Sequence, residues 1–341
     1  ADAAPTVAAV DSTDQMAWFS SQGPRYLNYG LKPDIAAPGV EILAAKAGGS
    51  DADGWYTSMS GTSMATPHVA GAAADLAEEH PDWTGQQLKD ALMSTSRPIA
   101  GGAYHVGAGE VDLTVGTTDQ VIATGSAFLG FSSWPHPALD PESRTITYTN
   151  SGSAPVTLDL AEAVQVAGGP YDVDPGADAG TPAPDGMFTL STNRITVPAH
   201  GSVDVIATGD PSKGQMARRY VGQVVATDAS GTVKARTQVA LYIEDERYNM
   251  TVDLRDRAGK PAAGYLQLQQ KGNPDVFVIG IDESGTLTMR MLPGTYSLLS
   301  YLEVPGANGP DSRGMAQLAD PEVVLDRDRT VSLDASKAVQ V

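Results

Sequence analysis

The spacing of apolar residues changes along the chain near residue 120. Before that point, short apolar runs alternate with segments of helical period, beginning with a strand at residues 6–10 and a strand-like segment at 35–42 that Pro and Gly interrupt. Strands that alternate with helices are typical of an α/β domain. We therefore predict an α/β architecture for residues 1–119.

Two helices are predicted within this part. The first begins at Ser63 and is so rich in small residues through residue 77 that it can be packed on nearly every side, as a core helix is. The second has Thr84 as its N-cap and Gln87 to complete a capping box, with Trp83 placed to pack on Leu88.

From about residue 120 onward the helical period disappears and strand-like runs recur between turn residues. Regular short strands without intervening helices favour β-sandwiches. The charged run at residues 244–247 is expected to be a hinge, so we predict three domains, at residues 1–119, 120–246 and 247–341. The predicted strands are residues 145–149, 156–160, 194–197, 203–208, 220–227 and 233–242 in the first sandwich, and 251–254, 265–269, 276–279, 286–291, 296–301 and 330–333 in the second.

Charge and cysteine content exclude several classes of function. The 341 residues include 41 acidic and 22 basic side chains, which gives a formal net charge of -19. Nucleic acid and anionic membranes would be repelled, so neither is expected as a partner, whereas an acidic surface keeps an exported protein soluble. The absence of cysteine excludes disulfides, thiolate metal sites and a cysteine nucleophile. We expect no cofactor and no metal.

One segment, residues 60–71, carries recognisable chemistry. Gly61 allows a sharp turn and a close approach of a substrate backbone, and Thr62 can cap the helix that Ser63 begins. A serine at this place lies at the positive end of a helix dipole, so its hydroxyl can attack a carbonyl while its own N–H stabilises the resulting oxyanion. Pro67 lies near the first turn, where its missing donor costs little. The pattern predicts a nucleophilic serine for acyl transfer.

Residues 61–71 resemble the active-serine signature of the subtilases, the subtilisin-like serine proteases. Four further segments resemble other parts of that family in the expected order, so the resemblance covers about residues 5–115. It implies a partial subtilisin-like catalytic domain of α/β fold. The four segments are residues 7–24, 32–39, 80–84 and 107–112.

The resemblance implies that Ser63 is the nucleophile and that its backbone N–H forms half of the oxyanion hole, with Gly61 and Met64 beside the substrate. In this family the chain order is Asp, His, Ser, so the catalytic aspartate and histidine are expected upstream of Ala1, in a missing N-terminal catalytic segment. The oxyanion-hole asparagine and most of the specificity pocket are expected there too. The chain alone is therefore predicted to be inactive.

Other residues resemble catalytic or metal-binding groups only in part. Asp11 follows an apolar strand, but its sequence context favours a turn-forming aspartate. His68 lies five residues after Ser63 on one helix, points elsewhere on the cylinder and is expected to be structural. Residues 51–54 hold two aspartates and a glycine, which favours a solvated acidic turn over a calcium loop. The remaining histidines, His80, His105, His136 and His200, are expected at the surface.

The two predicted sandwiches carry general resemblances. Residues 145–160 read as two strands joined by a short turn, similar to fibronectin-type and immunoglobulin-like sandwiches. Residues 256–261 and 292–296 resemble transthyretin-like or carboxypeptidase-regulatory-like sandwiches. Fold resemblance does not give function. Both are expected to be spacer or stabilising modules, because no aromatic patch visible in the sequence supports binding of substrate or of a cell-wall polymer.

These patterns predict a secreted, extracellular serine endopeptidase that hydrolyses protein or peptide substrates through an acyl-enzyme at Ser63. Two other classes remain open. One is a non-catalytic secreted scaffold or binding protein derived from a degenerate subtilase, and the other is a serine esterase of the same fold. Upstream Asp and His motifs would exclude the scaffold, and hydrolysis of esters but not of peptides would favour the esterase.

Overall fold

A computed structural model of the chain describes residues 4–25, 28–116, 120–167, 180–305 and 311–339. The chain forms two compact units, unit 1 at Ala1–Glu244 and unit 2 at Asp245–Val341. The predicted boundary between residues 119 and 120 falls inside unit 1, beside residues outside the described ranges, and stays a prediction. Within the described ranges, no helix combines the length and apolar character needed to cross a membrane.

The first part of unit 1 has α/β character, as predicted. Its elements are β1 (Val7–Val10), β2 (Ile35–Pro38), β3 (Ile42–Ser50), β4 (Gly54–Met59), α1 (Thr62–Glu79), α2 (Gly85–Ser94), α3 (Ala103–Val106) and α4 (Leu113–Gly116). Strands β1 and β2 pair in parallel, and β3 and β4 form an antiparallel hairpin that the sequence pattern did not predict. The predicted capping box of α2 is confirmed: the Thr84 hydroxyl accepts the Gln87 N–H, and the Gln87 side chain accepts the Thr84 N–H.

Helices α1 and α2 share one core with the β1–β2 sheet. Ala9, Ile35 and Ala37 of the sheet are fully buried in this core, together with the Ala65, Val69, Ala72 and Leu76 stripe of α1. These four positions recur at helical spacing, so they form one face of α1. A separate small core on the sheet includes Ala8, Ala36 and Val106 of α3.

The second part of unit 1 consists of two sheets. Its strands are β5 (Val121–Ala123), β6 (Ser126–Ser132), β7 (Glu142–Asn150), β8 (Val156–Val166), β9 (Phe188–Leu190), β10 (Arg194–Val197), β11 (Gly201–Gly209), β12 (Arg218–Asp228) and β13 (Val233–Ile243). One sheet has the order β10-β8-β12-β13-β6 and the other β5-β7-β11-β9. Both contribute alternate side chains to one core that contains Tyr148, Leu158 and Leu241. The two-sheet arrangement is therefore present, and its specific kinship with fibronectin or immunoglobulin domains stays a prediction.

Unit 2 also consists of two sheets around one core. Its strands are β14 (Tyr248–Arg255), β15 (Gly264–Gln270), β16 (Val276–Ile281), β17 (Thr286–Met291), β18 (Gly294–Pro305), β19 (Arg313–Leu325) and β20 (Arg329–Asp334). The sheets have the orders β17-β14-β20 and β16-β15-β18-β19. Their shared core includes Val252, Leu266, Leu298 and Leu333. The transthyretin-like or carboxypeptidase-regulatory-like kinship of this unit stays a prediction.

Two expectations about packing are wrong. Helix α1 is not buried on nearly every side, because its small residues Ala70, Gly71 and Ala74 are exposed and only one face meets the β1–β2 sheet. Glu244, expected within an exposed charged hinge, is fully buried and its carboxylate accepts the Trp134 N–H at 3.0 Å. A carboxylate that gains such a partner can leave solvent.

Candidate functional site

Ser63 lies in the first turn of α1 and is exposed to solvent. The helix begins at Thr62, with Gly61 as its N-cap and no side-chain capping bond, so the expectation that Thr62 caps the helix is wrong. Thr62 instead lies inside the first turn, where its carbonyl accepts the Thr66 hydroxyl at 2.9 Å. The first N–H groups of an α-helix lack intrahelical acceptors, and those of Thr62 and Ser63 therefore point out of the helix start. This turn presents a hydroxyl and free backbone donors at one place.

The chain bends at Gly61, as predicted, but the bend itself does not require glycine. Its φ of 162° is ordinary extended backbone, and an added Cβ would lie 3.5 Å from the Met64 sulfur, at normal van der Waals distance. The fold of this chain therefore tolerates a side chain at position 61. If glycine is required at position 61, the reason is the space that an approaching substrate backbone would need and not the packing of the chain itself.

Gly39 fixes the position of the helix start, a role that the sequence reasoning missed. Its carbonyl accepts the Gly61 N–H at 2.8 Å, and its own N–H donates to Val10 at 2.9 Å. A Cβ on Gly39 would lie 2.6 Å from that of Ala9 and 2.9 Å from the Gly61 carbonyl oxygen. Both contacts are too short, so only glycine lets the chain before Ser63 lie directly on β1. The signal was present in the Pro38-Gly39 step, but the close neighbours are far away in sequence.

A second tie holds the same loop. The Ser60 hydroxyl accepts the Glu41 N–H at 2.9 Å, which joins the end of the β3–β4 hairpin to its beginning. The hairpin leads directly into Ser60 and exposes large apolar side chains on its strands. These are Leu43, Trp55, Tyr56 and Met59.

Pro67 lies one turn further into α1 than the sequence analysis placed it. It is the sixth helical residue, so its nitrogen stands where an α-helix would donate to the carbonyl of Ser63. That carbonyl therefore lacks its intrahelical donor. The proline therefore removes a hydrogen bond to the carbonyl of the nucleophile position itself. In the first turn it would have removed only an N–H that has no acceptor in any α-helix.

The Ser63 hydroxyl makes no hydrogen bond to any residue that the structure describes. His68 follows it on α1, but the His68 Nδ1 atom lies 2.9 Å from the Met64 carbonyl oxygen, within the helix. His80 stacks on Trp83 with ring centroids 3.8 Å apart, and His200 is exposed, while His105 and His136 are half-buried. None of the five histidines is hydrogen-bonded to the serine in the described ranges. The expectation that all four distant histidines are surface residues therefore holds fully only for His200.

The predicted turns are confirmed. The Asp11 carboxylate accepts the Thr13 N–H at 2.8 Å and the Thr13 hydroxyl at 2.7 Å, and these bonds hold the Asp11 pKa below its usual value. Asp51 and Asp53 occupy the exposed turn of the β3–β4 hairpin, where Asp51 accepts the Trp55 indole N–H at 3.0 Å. Both acidic features thus have local structural partners.

A buried ion pair supports the sheet below the serine helix. Asp34, at the start of β2, accepts the Lys32 ammonium at 2.6 Å and pairs with Lys89 of α2 at 3.1 Å. It also accepts the N–H and hydroxyl of Thr6. Burial alone would raise the pKa of Asp34, but the bonds from Lys32 and Thr6 and the charge of Lys89 outweigh burial and hold its pKa below the usual value. The pair links β1, β2 and α2, and nothing in the spacing of Lys89 announced it.

A second ionic cluster joins the ends of the same framework. The Arg97 guanidinium contacts the carboxylates of both Asp14 and Glu110, and the Arg97–Asp14 distance is 2.7 Å. Burial raises the pKa of Glu110, which the charge of Arg97 offsets only in part. Backbone bridges place Glu110 beside both Arg97 and Ala36 of β2. The cluster therefore braces the second edge of β2.

Comparison with known proteins bears on these observations. The family model described as the subtilase family matches residues 2–128, the part that holds β1, β2, α1 and Ser63. The first part of this chain belongs to the subtilase family. The subtilase segment accordingly includes all five segments whose resemblance the sequence showed.

The subtilase segment has relatives in plants and bacteria. The chain is 51% identical over 83 residues to the subtilisin-like protease SBT3.10 of Arabidopsis thaliana, which covers 24% of this chain and 11% of that protein. It is 42% identical over 107 residues to subtilisin E of Bacillus subtilis, covering 31% of this chain and 25% of that protein. It is 28% identical over 244 residues to the minor extracellular protease Vpr of Bacillus subtilis, covering 69% of this chain and 28% of that protein.

The chain thus spans less than a third of the length of each of these three relatives. Among solved structures, sphericase is 30% identical, with 31% of this chain and 39% of that chain covered and a TM-score of 0.26.

Proposed function

We propose that this chain supplies the nucleophile of a secreted serine endopeptidase, with Ser63 attacking a peptide carbonyl. The observation that carries the proposal is the exposed serine in the first turn of α1, within a segment that belongs to the subtilase family. The backbone N–H of Ser63 is the donor that would hold the oxyanion, since an N–H in the first turn has no intrahelical acceptor. Relatives whose names describe them as proteases support a hydrolytic role.

The proton acceptor for Ser63 is proposed to lie on a catalytic segment outside this chain. No histidine in the described ranges is hydrogen-bonded to the Ser63 hydroxyl, and a serine without a base is a weak nucleophile. The exposed Ala70, Gly71 and Ala74 on α1 support the proposal, because a face of small residues permits close packing of another segment. The histidine would take the serine proton during attack and return it to the leaving amine.

Gly61 and Met64 are proposed to border the bound substrate. A Cβ at position 61 would make only ordinary contacts, with Met64 and with the Ser63 nitrogen, and Met64 is half-buried beside it. Substrates are proposed to be proteins or peptides, and secretion is supported by similarity to a protease whose name describes it as extracellular.

The proposal is tested by joining the chain to a catalytic segment that carries the family's Asp and His motifs and measuring peptide hydrolysis. We expect turnover of peptide substrates in the joined protein and none in the 341-residue chain. Ser63→Ala should remove the activity by roughly a million-fold, a magnitude taken from another member of the family. An active Ser63→Ala protein would overturn the nucleophile assignment, and ester hydrolysis without peptide hydrolysis would replace the endopeptidase by an esterase.

A further inference from the structure

Unit 2 exposes one face of its four-stranded sheet β16-β15-β18-β19. Side chains alternate along these strands, so that Leu266 and Leu298 point into the core while their neighbours point outward. Tyr265 of β15 and Tyr301 of β18 are direct cross-strand partners on the outward face. They are 65% and 37% exposed, respectively. Two tyrosines therefore occupy neighbouring positions on an open sheet surface.

Neutral polar side chains flank the two tyrosines. Gln317 of β19 is the cross-strand partner of Tyr301. Gln267 lies two residues after Tyr265 on β15 and therefore faces outward on the same side of the sheet. The other outward neighbours of the two tyrosines are apolar except Glu303, which follows Tyr301 in the outward row of β18. We call this surface the tyrosine face, and its residues are Tyr265, Gln267, Val278, Leu299, Tyr301, Gln317 and Ala319.

The tyrosine face carries no charge, although the whole chain has a net charge of -19. The face is bordered by two ion pairs and by three further carboxylates, those of Asp275 and Asp282 at the two ends of β16 and that of Asp320 next to Ala319 on β19. Arg313 pairs with Glu303 at 3.0 Å at one end of the face, and Lys271 pairs with Glu322 at 3.6 Å at the other. A surface that is neutral at its centre and bordered by ion pairs and carboxylates does not favour an anionic ligand.

A cavity of about 330 Å³ lies where the tyrosine face ends. Gln269 and Ser297, which continue the outward rows of β15 and β18, line it. Both supply hydrogen-bonding groups without a net charge. The tyrosine face thus continues into a polar cleft, whose lining also includes the paired Lys271 and Glu322.

We propose that the tyrosine face binds a neutral, β-linked polysaccharide. A pyranose ring has an apolar face of C–H groups that packs on an aromatic ring, whose π-face is electron-rich, while its hydroxyls project sideways toward amide groups. Paired tyrosines supply two such rings, and Gln267 and Gln317 supply the amides beside them. A flat chain of β-linked sugars matches a surface made by neighbouring strands better than a convex folded partner does. The site goes beyond the proposed protease function and does not depend on Ser63.

This site could not be seen in the sequence, where unit 2 was expected to be a spacer without an aromatic patch. Tyr265 and Tyr301 belong to separate strand segments, and only the β15–β18 register makes them neighbours. The strand that holds Gln317 was not predicted at all. An alternating strand shows which residues share a face but not which strands are adjacent.

Retention of the 341-residue chain on insoluble cellulose and on chitin tests the proposal. We expect retention on at least one of the two, and a Tyr265→Ala/Tyr301→Ala double variant should bind roughly tenfold more weakly or worse, as for truncation of central aromatic contacts elsewhere. The double Tyr→Phe variant should keep binding, because it retains both rings. Since the ligand is neutral, binding should change little with salt.

Tyr56→Ala, which removes an exposed tyrosine of unit 1, is the matched control and should bind as the unaltered chain does. Equal unfolding temperatures for the variants show that the fold of unit 2 is retained. Four results would overturn the proposal: no retention on either polymer, undiminished retention of the double Ala variant, retention that salt abolishes, or a dimer that the double Ala variant dissociates. The last result would assign the face to a second copy of the chain.

Discussion

Two glycines next to Ser63 serve different purposes, and the distinction is sterically clear. Gly39 is enclosed by Ala9 and by the Gly61 carbonyl, so its lack of a side chain allows the helix start to lie on β1. A Cβ on Gly61 would make only ordinary contacts within the chain, so its absence leaves room in front of the serine. At the residue scale, one glycine positions the nucleophile and the other leaves space for what it attacks.

Alanine at each glycine separates these roles in the protein restored with its catalytic segment. Gly39→Ala should displace the start of α1 and reduce both peptide hydrolysis and labelling of Ser63 by a small fluorophosphonate probe, by about a hundredfold for a displacement of roughly 1 Å. Gly61→Ala should keep the fold and probe labelling but lower kcat/KM for peptides. Gly85→Ala, with nothing within 4 Å of the added Cβ, is the control and should be neutral.

The opposite pattern, with labelling lost in Gly61→Ala and kept in Gly39→Ala, would show that the two assignments are reversed.

Met64 follows the nucleophile and is half-buried beside Gly61. Oxidation to the sulfoxide adds bulk and a dipole next to the developing oxyanion, so mild peroxide should lower the turnover of the restored enzyme. The Met64→Ala variant should keep its activity after the same treatment. Equal losses in both proteins would place the sensitive group among the other nine of the ten methionines.

At the scale of elements, the sequence was most informative where a local signal decides the structure. The α2 capping box depends on residues three apart, and the strands at residues 194–197 and 286–291 were predicted with the bounds observed for Arg194–Val197 and Thr286–Met291. Strand β19 was missed because Pro321 and its neighbours interrupt the alternation at a register shift. The β3–β4 hairpin was missed because its exposed strands lack a buried face.

The candidate site shows the same division. Ser63, Gly61 and Met64 were selected from a contiguous motif, and their roles remain proposals. Gly39 and the Asp34–Lys89 pair act through contacts between elements that are distant in the chain. The sequence assigned no role to Lys89, and only the tertiary fold places it beside the buried Asp34.

The exposed face of α1 gives an element-scale prediction. Ala74→Glu should leave the unfolding free energy of the 341-residue chain unchanged within about 0.5 kcal/mol, because the position is exposed. The same substitution should impair recovery of activity when the chain is mixed with a separate catalytic segment, since a buried carboxylate without a partner is costly. Glu78→Ala, on the charged end of α1, is the control and should recover fully. Undiminished recovery with Ala74→Glu would mean that nothing covers this face.

The Asp34–Lys89 pair predicts how unit 1 responds to acid. A carboxyl whose pKa is lower in the folded state contributes stability above its unfolded pKa, near 3.8, and that contribution disappears as the pH falls through the folded pKa. Asp34→Asn should therefore cost about 3 kcal/mol at neutral pH, because the substitution removes the carboxylate charge that faces the ammonium groups of Lys32 and the buried Lys89. The difference between the two proteins should shrink below about pH 4.

Tryptophan fluorescence during denaturant unfolding measures this difference, because all four tryptophans lie in unit 1. The exposed Asp82→Asn variant is the control and should match the unaltered chain at each pH. The difference in unfolding free energy between the Asp34→Asn variant and the unaltered chain should not stay constant into strong acid. A constant difference would contradict the assigned role of the pair.

At the scale of the whole molecule, the chain combines a subtilase segment with two further two-sheet parts. The family model ends at residue 128, and similarity to a longer bacterial protease extends over 69% of the chain. The strong acidic charge belongs to the molecule as a whole, whereas the tyrosine face of unit 2 is a neutral area within it. The central claim about this molecule is that Ser63 is a nucleophile whose base lies on another segment.

Mapping of a fluorophosphonate adduct by mass spectrometry tests that claim most directly. The probe phosphonylates a serine only when a base activates the hydroxyl, so the 341-residue chain should remain unlabelled. The protein restored with its catalytic segment should carry one adduct on the peptide that contains Ser63, and Ser63→Ala should remove it. Robust labelling of Ser63 in the isolated chain, or an adduct at another serine in the restored protein, would contradict the account.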